Sequence, residues 1–309
     1  MAEPSLHNPS GVFSAVLTPF NDDLSVDLPA YLDHCRWLLA HGCDGIAALG
    51  TTGEAASLSL AERFGILDAL TQAGIGGDKL ILGSGACALP DAVALTRRAV
   101  EVESPHVLVL PPYYFKNPSE DGLYAYYARL IDGVGDNRLR IYLYHIPQTS
   151  AVPVPHKLIV RLRQDFGPIV AGAKDSALDL ANMIAMLNLT PDFRVFSGSE
   201  TLLLPLLEAG GVGCITAGSN IFSAATAETY RLWLAEGASA ATLASQAALT
   251  AKRQALDGAP QIPTMKALLA KGRGAPSWRN VRPPFLPLND PESAAAVARA
   301  AALDLAGLI

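Results

Sequence analysis

Short apolar runs alternate along the chain with longer stretches in which apolar residues recur at helical spacing. The runs at 11–17, 45–49, 79–83, 106–110, 140–144, 169–174, 194–197 and 213–216 predict strands. Between them, residues 28–40, 60–72, 91–102, 120–131, 155–164, 178–189 and 201–209 predict helices. One strand, one helix and short connectors imply a parallel sheet, and eight such strands imply closure into a (β/α)8 barrel. A doubly wound open sheet would need a glycine-rich phosphate turn after its first strand. Here that strand runs into TPFNDD, with no GxGxxG. The barrel core is therefore placed at 11–222, behind a short arm at 1–10.

Residues 217–309 are far more than one closing helix needs. The alanine- and leucine-rich stretches 223–235, 240–256 and 293–308 predict helices. PQIPTMKALLAKGRGAPSWRNVRPPFLPLND, between the last two, is expected to break up any long helix through its prolines. Residues 223–309 thus read as a closing helix and a C-terminal helical extension packed on the barrel.

Composition narrows the class further. Half of the 309 residues are hydrophobic, which supplies a large core, yet no apolar run reaches the roughly 18 residues that span a bilayer. The start, MAEPSLHNPS, lacks the basic and apolar pattern of a secretion signal. A net charge of −6 argues against nucleic acid or an anionic membrane as partner. Cys35, Cys43, Cys87 and Cys214 are scattered without metal-like spacing and fit a reducing compartment. A cytoplasmic protein is expected, with no metal or cofactor.

Barrel chemistry sits at the C-terminal ends of the strands. The sixth run ends in Lys174, directly after IVAGA. Burial at an apolar barrel mouth disfavours the ammonium and makes a neutral amine available as a nucleophile. The plainer alternative is a solvated lysine paired with Asp175. The fifth run ends in Tyr144, whose phenol could pass protons to and from that amine, or could be a packed aromatic like Tyr142. After the second run comes GTTGE, where Gly50 lets a ligand approach the backbone. Thr51 and Thr52 there offer hydroxyls and amides to a carboxylate. After the fourth run, PPYY places Tyr113 and Tyr114 at the same mouth.

Taken in order, GVFSAVLTPF, GTTGE, PPYY, YHIP, GAKDS and SGSE resemble the dihydrodipicolinate synthase and N-acetylneuraminate lyase family of pyruvate-dependent aldolases. PQIPTMK and RPPFLPL are similar to that family's C-terminal pattern. The resemblance implies that Lys174 forms a Schiff base with a 2-oxo acid such as pyruvate and that Tyr144 transfers protons. It implies that Thr51 and Thr52 bind the carboxylate and relay protons, Thr51 as part of the catalytic set. It also implies that Tyr114 completes the relay from a neighbouring subunit, hence a homodimer or homotetramer. Gly198, Ile215 and Asn220 match pocket-lining positions.

The partner aldehyde is less constrained. The family's synthase branch carries an arginine shortly after the tyrosine, where this chain has Thr149, a neutral hydroxyl that makes no bidentate carboxylate contact. His145 replaces an asparagine, either as a structural hydrogen-bonding group or as a pocket wall. Ser176 matches the hydroxyl position after the lysine in the sugar-acid lyases, and Glu200 matches an acidic position that contacts substrate hydroxyls in the neuraminate lyase branch; Glu200 is equally placed to cap a helix at Thr201. These features favour an aldolase that cleaves a 2-oxo-3-deoxy sugar acid or a hydroxy-2-oxo acid to pyruvate and an aldehyde. The alternatives are a synthase condensing pyruvate with aspartate semialdehyde, and a non-catalytic barrel that binds 2-oxo acids.

Overall fold

The computed structural model describes residues 8–301, so residues 1–7 of the arm and the end of the stretch 293–308 lie outside the described residues. Eight parallel strands close a barrel in chain order, with β1 also pairing β8. They are β1 (Gly11–Ala15), β2 (Gly45–Ala48), β3 (Leu80–Gly83), β4 (His106–Val109), β5 (Arg140–His145), β6 (Val170–Asp175), β7 (Arg194–Ser197) and β8 (Gly213–Thr216). Helices α1 (Leu28–Ala40), α2 (Leu60–Gln72), α3 (Leu89–Glu101) and α4 (Glu120–Val134) follow the first four strands. A short α5 (Pro147–Ser150) precedes α6 (His156–Phe166), and α7 (Leu180–Leu187) and α8 (Leu203–Glu208) complete the ring before the closing α9 (Ser219–Glu236).

Every residue of β1, β2, β3, β4, β6 and β8 is buried. Both faces of a parallel sheet are covered here, one by the barrel interior and one by helices. That is why these strands read as unbroken apolar runs. Inside, Phe13 and Tyr142 each meet Phe196 edge-on, at 5.9 and 5.6 Å between ring centres. With Ile81, Leu108 and Ile215 they fill the barrel as a packed core. Space for a ligand is left at the strand ends.

The extension comprises α10 (Ala240–Gln254), α11 (Gln261–Arg273) and α12 (Asp290–Ala301). Helix α11 corrects the expectation that prolines break this stretch. Pro260 is its N-cap and Pro263 lies in its first turn. There, backbone N–H groups have no intrahelical acceptor, so a proline removes no hydrogen bond. Gly274 ends the helix in a left-handed conformation, φ +61°. The extension is tied to α1, where Arg273 Nη2 lies 2.7 Å from His34 Nδ1 and Trp278 packs edge-on against the His34 ring.

Smaller departures have local causes. The expected helix at 201–209 is split into a 3-10 turn, Glu200–Leu202, and α8. The turn is capped by Ser199, whose side chain accepts from the Thr201 amide. Helix α9 starts at Ser219, and Phe222 (φ −130°, ψ 44°) interrupts it before its regular part. Among the described residues, no helix is long and apolar enough to cross a membrane.

Candidate active site

The β5–β6 register sets Tyr144 opposite Lys174. Both side chains are buried, and Lys174 Nζ lies 3.4 Å from the Tyr144 hydroxyl. The same ammonium lies 4.5 Å from the centre of the Tyr144 ring. Behind the phenol, Thr51 Oγ1 stands 3.5 Å from Tyr144 OH. Lys174, Tyr144 and Thr51 thus form a line of proton-carrying groups across the ends of β6, β5 and β2.

Asp175 does not neutralise the lysine. Adjacent strand residues point to opposite faces. The Asp175 carboxylate accepts from the Ala177 amide at 2.7 Å and from Asn182 Nδ2 at 2.6 Å, in the outer layer. The positive charge of Lys174 therefore acts on Tyr144. Burial alone pushes that phenol up, but the Lys174 charge and hydrogen bonds to Thr51, Ser176 and Lys174 outweigh it and bring it below its usual value. A phenol so placed ionises more readily than a free tyrosine.

Beside Tyr144 opens a cavity of about 270 Å³. Gly50, Thr51, Thr149, Leu110 and Tyr113 are among the residues that wall it. Thr52 is buried next to Thr51. Ser176, which hydrogen-bonds Tyr144, and Gly198 are packed so closely that a Cβ at 198 would collide with Ser176 Oγ. The Gly198 amide donates to Asp175 O at 2.7 Å, which holds the β7 end against β6. Glycine is required there by close approach.

Other expected site residues are placed elsewhere. Ile215 belongs to the packed barrel interior. Asn220 is wholly buried, accepting from the Leu17 amide and donating to the carbonyls of Ala15 and Ala217. It ties the end of β1 to the start of α9. His145 points to the outer layer, where Nδ1 accepts from the Val154 amide at 3.1 Å. Burial lowers its proton affinity despite the Asp175 charge. Glu200 is 1 % exposed and has Arg253 Nε 3.7 Å from its carboxylate. Burial raises its pKa even though hydrogen bonding to Thr216 and the nearby Arg253 charge oppose this. Tyr114 is 73 % exposed and packs edge-on against Phe115. Its neighbour Tyr113 is the one that walls the cavity.

Glu54 and Lys266 were not anticipated. They form a fully buried ion pair at 2.5 Å beneath the GTTGE turn. Glu54 stands in a motif and Lys266 in an apolar stretch, but 212 positions separate them, and only the fold brings them together.

The chain matches the dihydrodipicolinate synthetase family over residues 8–302. It is 38 % identical to an uncharacterized DapA-like lyase of Chloroflexus aurantiacus, over 93 % of this chain and 94 % of that protein. It is 33 % identical to a 4-hydroxy-tetrahydrodipicolinate synthase of Rhodospirillum centenum, over 72 % of this chain and 75 % of that protein. The crystal structure of dihydrodipicolinate synthase from Agrobacterium tumefaciens superimposes with a TM-score of 0.86 at 29 % identity, covering 95 % of this chain and 99 % of that one. Barrel and relatives together define an αβ-barrel lyase. The chain belongs to the dihydrodipicolinate synthetase family.

Proposed function

We propose that the protein is a Schiff-base-forming aldolase in which Lys174 condenses with the keto carbon of a 2-oxo acid, pyruvate in the first instance. The observation that carries this reading is the Lys174 amine 3.4 Å from the Tyr144 phenol, with Thr51 behind it. The amine adds to the ketone, giving a carbinolamine. Tyr144 delivers a proton to the departing hydroxyl, and water leaves. Tyr144, left as the phenolate, takes the proton of the C4 hydroxyl as the C3–C4 bond breaks, and the iminium accepts the electron pair, so cleavage yields an enamine and an aldehyde. Protonation at C3 and hydrolysis then release pyruvate and the free lysine. Thr51 and Thr52 hold the carboxylate through hydroxyl and backbone donors.

The substrate reading is reversible cleavage of a 2-oxo-3-deoxy sugar acid or a hydroxy-2-oxo acid. It is supported by the neutral Thr149 in the cavity wall and by the Ser176 hydroxyl beside Tyr144. Glu200, shut in with Arg253, adds no support. The second reading, condensation of pyruvate with aspartate semialdehyde, is favoured by the name of the Rhodospirillum centenum relative. A homodimer or homotetramer is part of the proposal, with Tyr114 of a second copy completing the relay. Its exposure on the parent subunit supports this role.

Reduction with borohydride in the presence of pyruvate is the direct test. A reduced adduct mapped to Lys174 is expected, and a protein without that adduct would remove the mechanism. Condensation assays with aldehydes, glyceraldehyde and aspartate semialdehyde among them, then separate the two substrate readings.

A further inference from the structure

The turn that carries Thr51 and Thr52 is an unusual piece of backbone. Leu49 and Glu54 flank it in the left-handed region, at φ +57° and +55°, which side chains other than glycine rarely adopt. Such residues persist where their surroundings over-determine them. Here the Glu54 amide donates to Thr51 O at 3.1 Å, and Thr18 Oγ1 donates to Gly53 O at 2.8 Å. The strongest restraint comes from the C-terminal extension. Lys266, on α11, donates to Glu54 Oε1 at 2.5 Å and to Asn280 O at 2.7 Å, while the Arg282 amide donates to Glu54 Oε2 at 2.9 Å. Both carboxylate oxygens are therefore occupied. The Phe20 ring centre lies 4.3 Å from Lys266 Nζ and 4.8 Å from the Arg282 guanidinium carbon.

Glu54 and Lys266 have side chains with 0 % exposure. Desolvating two charges offsets most of their attraction, so a buried pair is a poor source of net stability. What it does supply is one geometry, because removing either partner leaves a bare charge in the core. That geometry fixes the turn whose Thr51 reaches Tyr144. We infer that Glu54 and Lys266 are positioning residues whose ion pair, supplied from the C-terminal extension, holds the threonine turn in register for the substrate carboxylate. The extension is thereby a working part of the site at the barrel mouth. This rests on the reading of Lys174 as the imine-forming lysine and of Thr51 and Thr52 as carboxylate ligands.

The test measures, in the full-length protein, borohydride trapping, the apparent KM for pyruvate, and the unfolding temperature. Glu54→Asp keeps the charge pair but shortens the arm that pulls on the turn. Glu54→Gln/Lys266→Met removes both charges, so no uncompensated ion stays buried. Both variants are expected to stay folded with KM for pyruvate raised roughly tenfold or more, given how steeply misplacement of binding groups is felt. Lys266→Arg, which keeps the cation, is expected to lie closer to wild type. A folded double variant with wild-type KM overturns the inference, since the pair would then be only structural. Should the double variant fail to fold, Glu54→Asp decides by the same criterion. If wild-type protein forms no adduct with pyruvate, the underlying reading fails and takes this inference with it. If it does and the variants match its KM, the positioning role alone fails.

Discussion

Lys174 and Tyr144 face each other across the β5–β6 pair, with the amine 3.4 Å from the phenol oxygen and Asp175 turned away into the outer layer. The two groups therefore answer to each other. Under the proposed mechanism, Lys174→Ala is expected to abolish the borohydride-trapped adduct and all turnover. Tyr144→Phe keeps the amine and the ring but removes the proton carrier. It should lower kcat by roughly 10²–10⁴-fold while an adduct still forms slowly. Single-turnover trapping rates check this, and a Tyr144→Phe enzyme with wild-type rates would remove the phenol from the relay.

The same contact has a spectroscopic consequence. Tyr144 lies below the usual phenol range although burial pushes it up, because Lys174, Thr51 and Ser176 stabilise the phenolate. Alkaline titration of tyrosine absorbance should show a component that ionises early in wild type and is missing in Tyr144→Phe. If the two titrations superimpose, the Lys174 charge is not acting on this ring.

Much of this site could be read from the chain, and the reasons are physical. A lysine directly after IVAGA stands out because a strand covered on both faces is otherwise read as a mostly apolar run. The α11 helix was hidden because Pro260 and Pro263 weigh as breakers anywhere except a first turn, and a sequence does not show where the first turn falls. Glu200 and Asn220 show the converse. Their types suit a polar pocket, yet Arg253 and the β1 backbone engage them, and those partners are fixed only by packing. The Glu54–Lys266 pair was invisible for the same reason.

Thr149 gives a test of substrate choice. It walls the cavity beside Tyr144 and carries no charge. Thr149→Arg introduces a bidentate donor there and is expected to raise kcat/KM for aspartate semialdehyde by roughly tenfold to a hundredfold over the wild-type protein. Glyceraldehyde, which has no carboxylate, should gain nothing. Equal gains for both aldehydes would show that position 149 does not meet the second substrate.

Tyr114 makes a prediction about assembly. It and Phe115, 73 % and 78 % exposed, are the exposed aromatics of the β4–α4 loop. Tyr114→Phe should cut turnover by about a hundredfold without altering the unfolding temperature. Lys174→Ala and Tyr114→Phe subunits are each expected to be nearly inactive alone. Unfolded together and refolded, they should regain activity, because a mixed oligomer pairs an intact Lys174 with an intact Tyr114. A mixture no more active than its parts would place Tyr114 outside its neighbour's relay.

His34 sets a limit on acid stability. It is wholly buried, with Nε2 2.9 Å from Asn220 Oδ1 and Nδ1 2.7 Å from Arg273 Nη2. Arg273 can only donate, so Nδ1 is the acceptor and Nε2 carries the proton toward Asn220. Burial and the Arg273 charge hold the ring neutral, with its pKa down to about 3. In the unfolded chain it titrates near 6.5. Below that value the unfolded state takes up a proton that the folded state refuses until about pH 3. The contribution of His34 is therefore fully present above pH 6.5 and is lost progressively as pH falls towards about 3, by an amount on the order of a few kcal/mol. His34→Gln cannot titrate, and its amide can still accept from Arg273 or donate to Asn220. Between pH 7 and 4.5, unfolding midpoints of the wild-type protein should fall more steeply than those of His34→Gln, and parallel slopes would show that this histidine does not couple folding to pH.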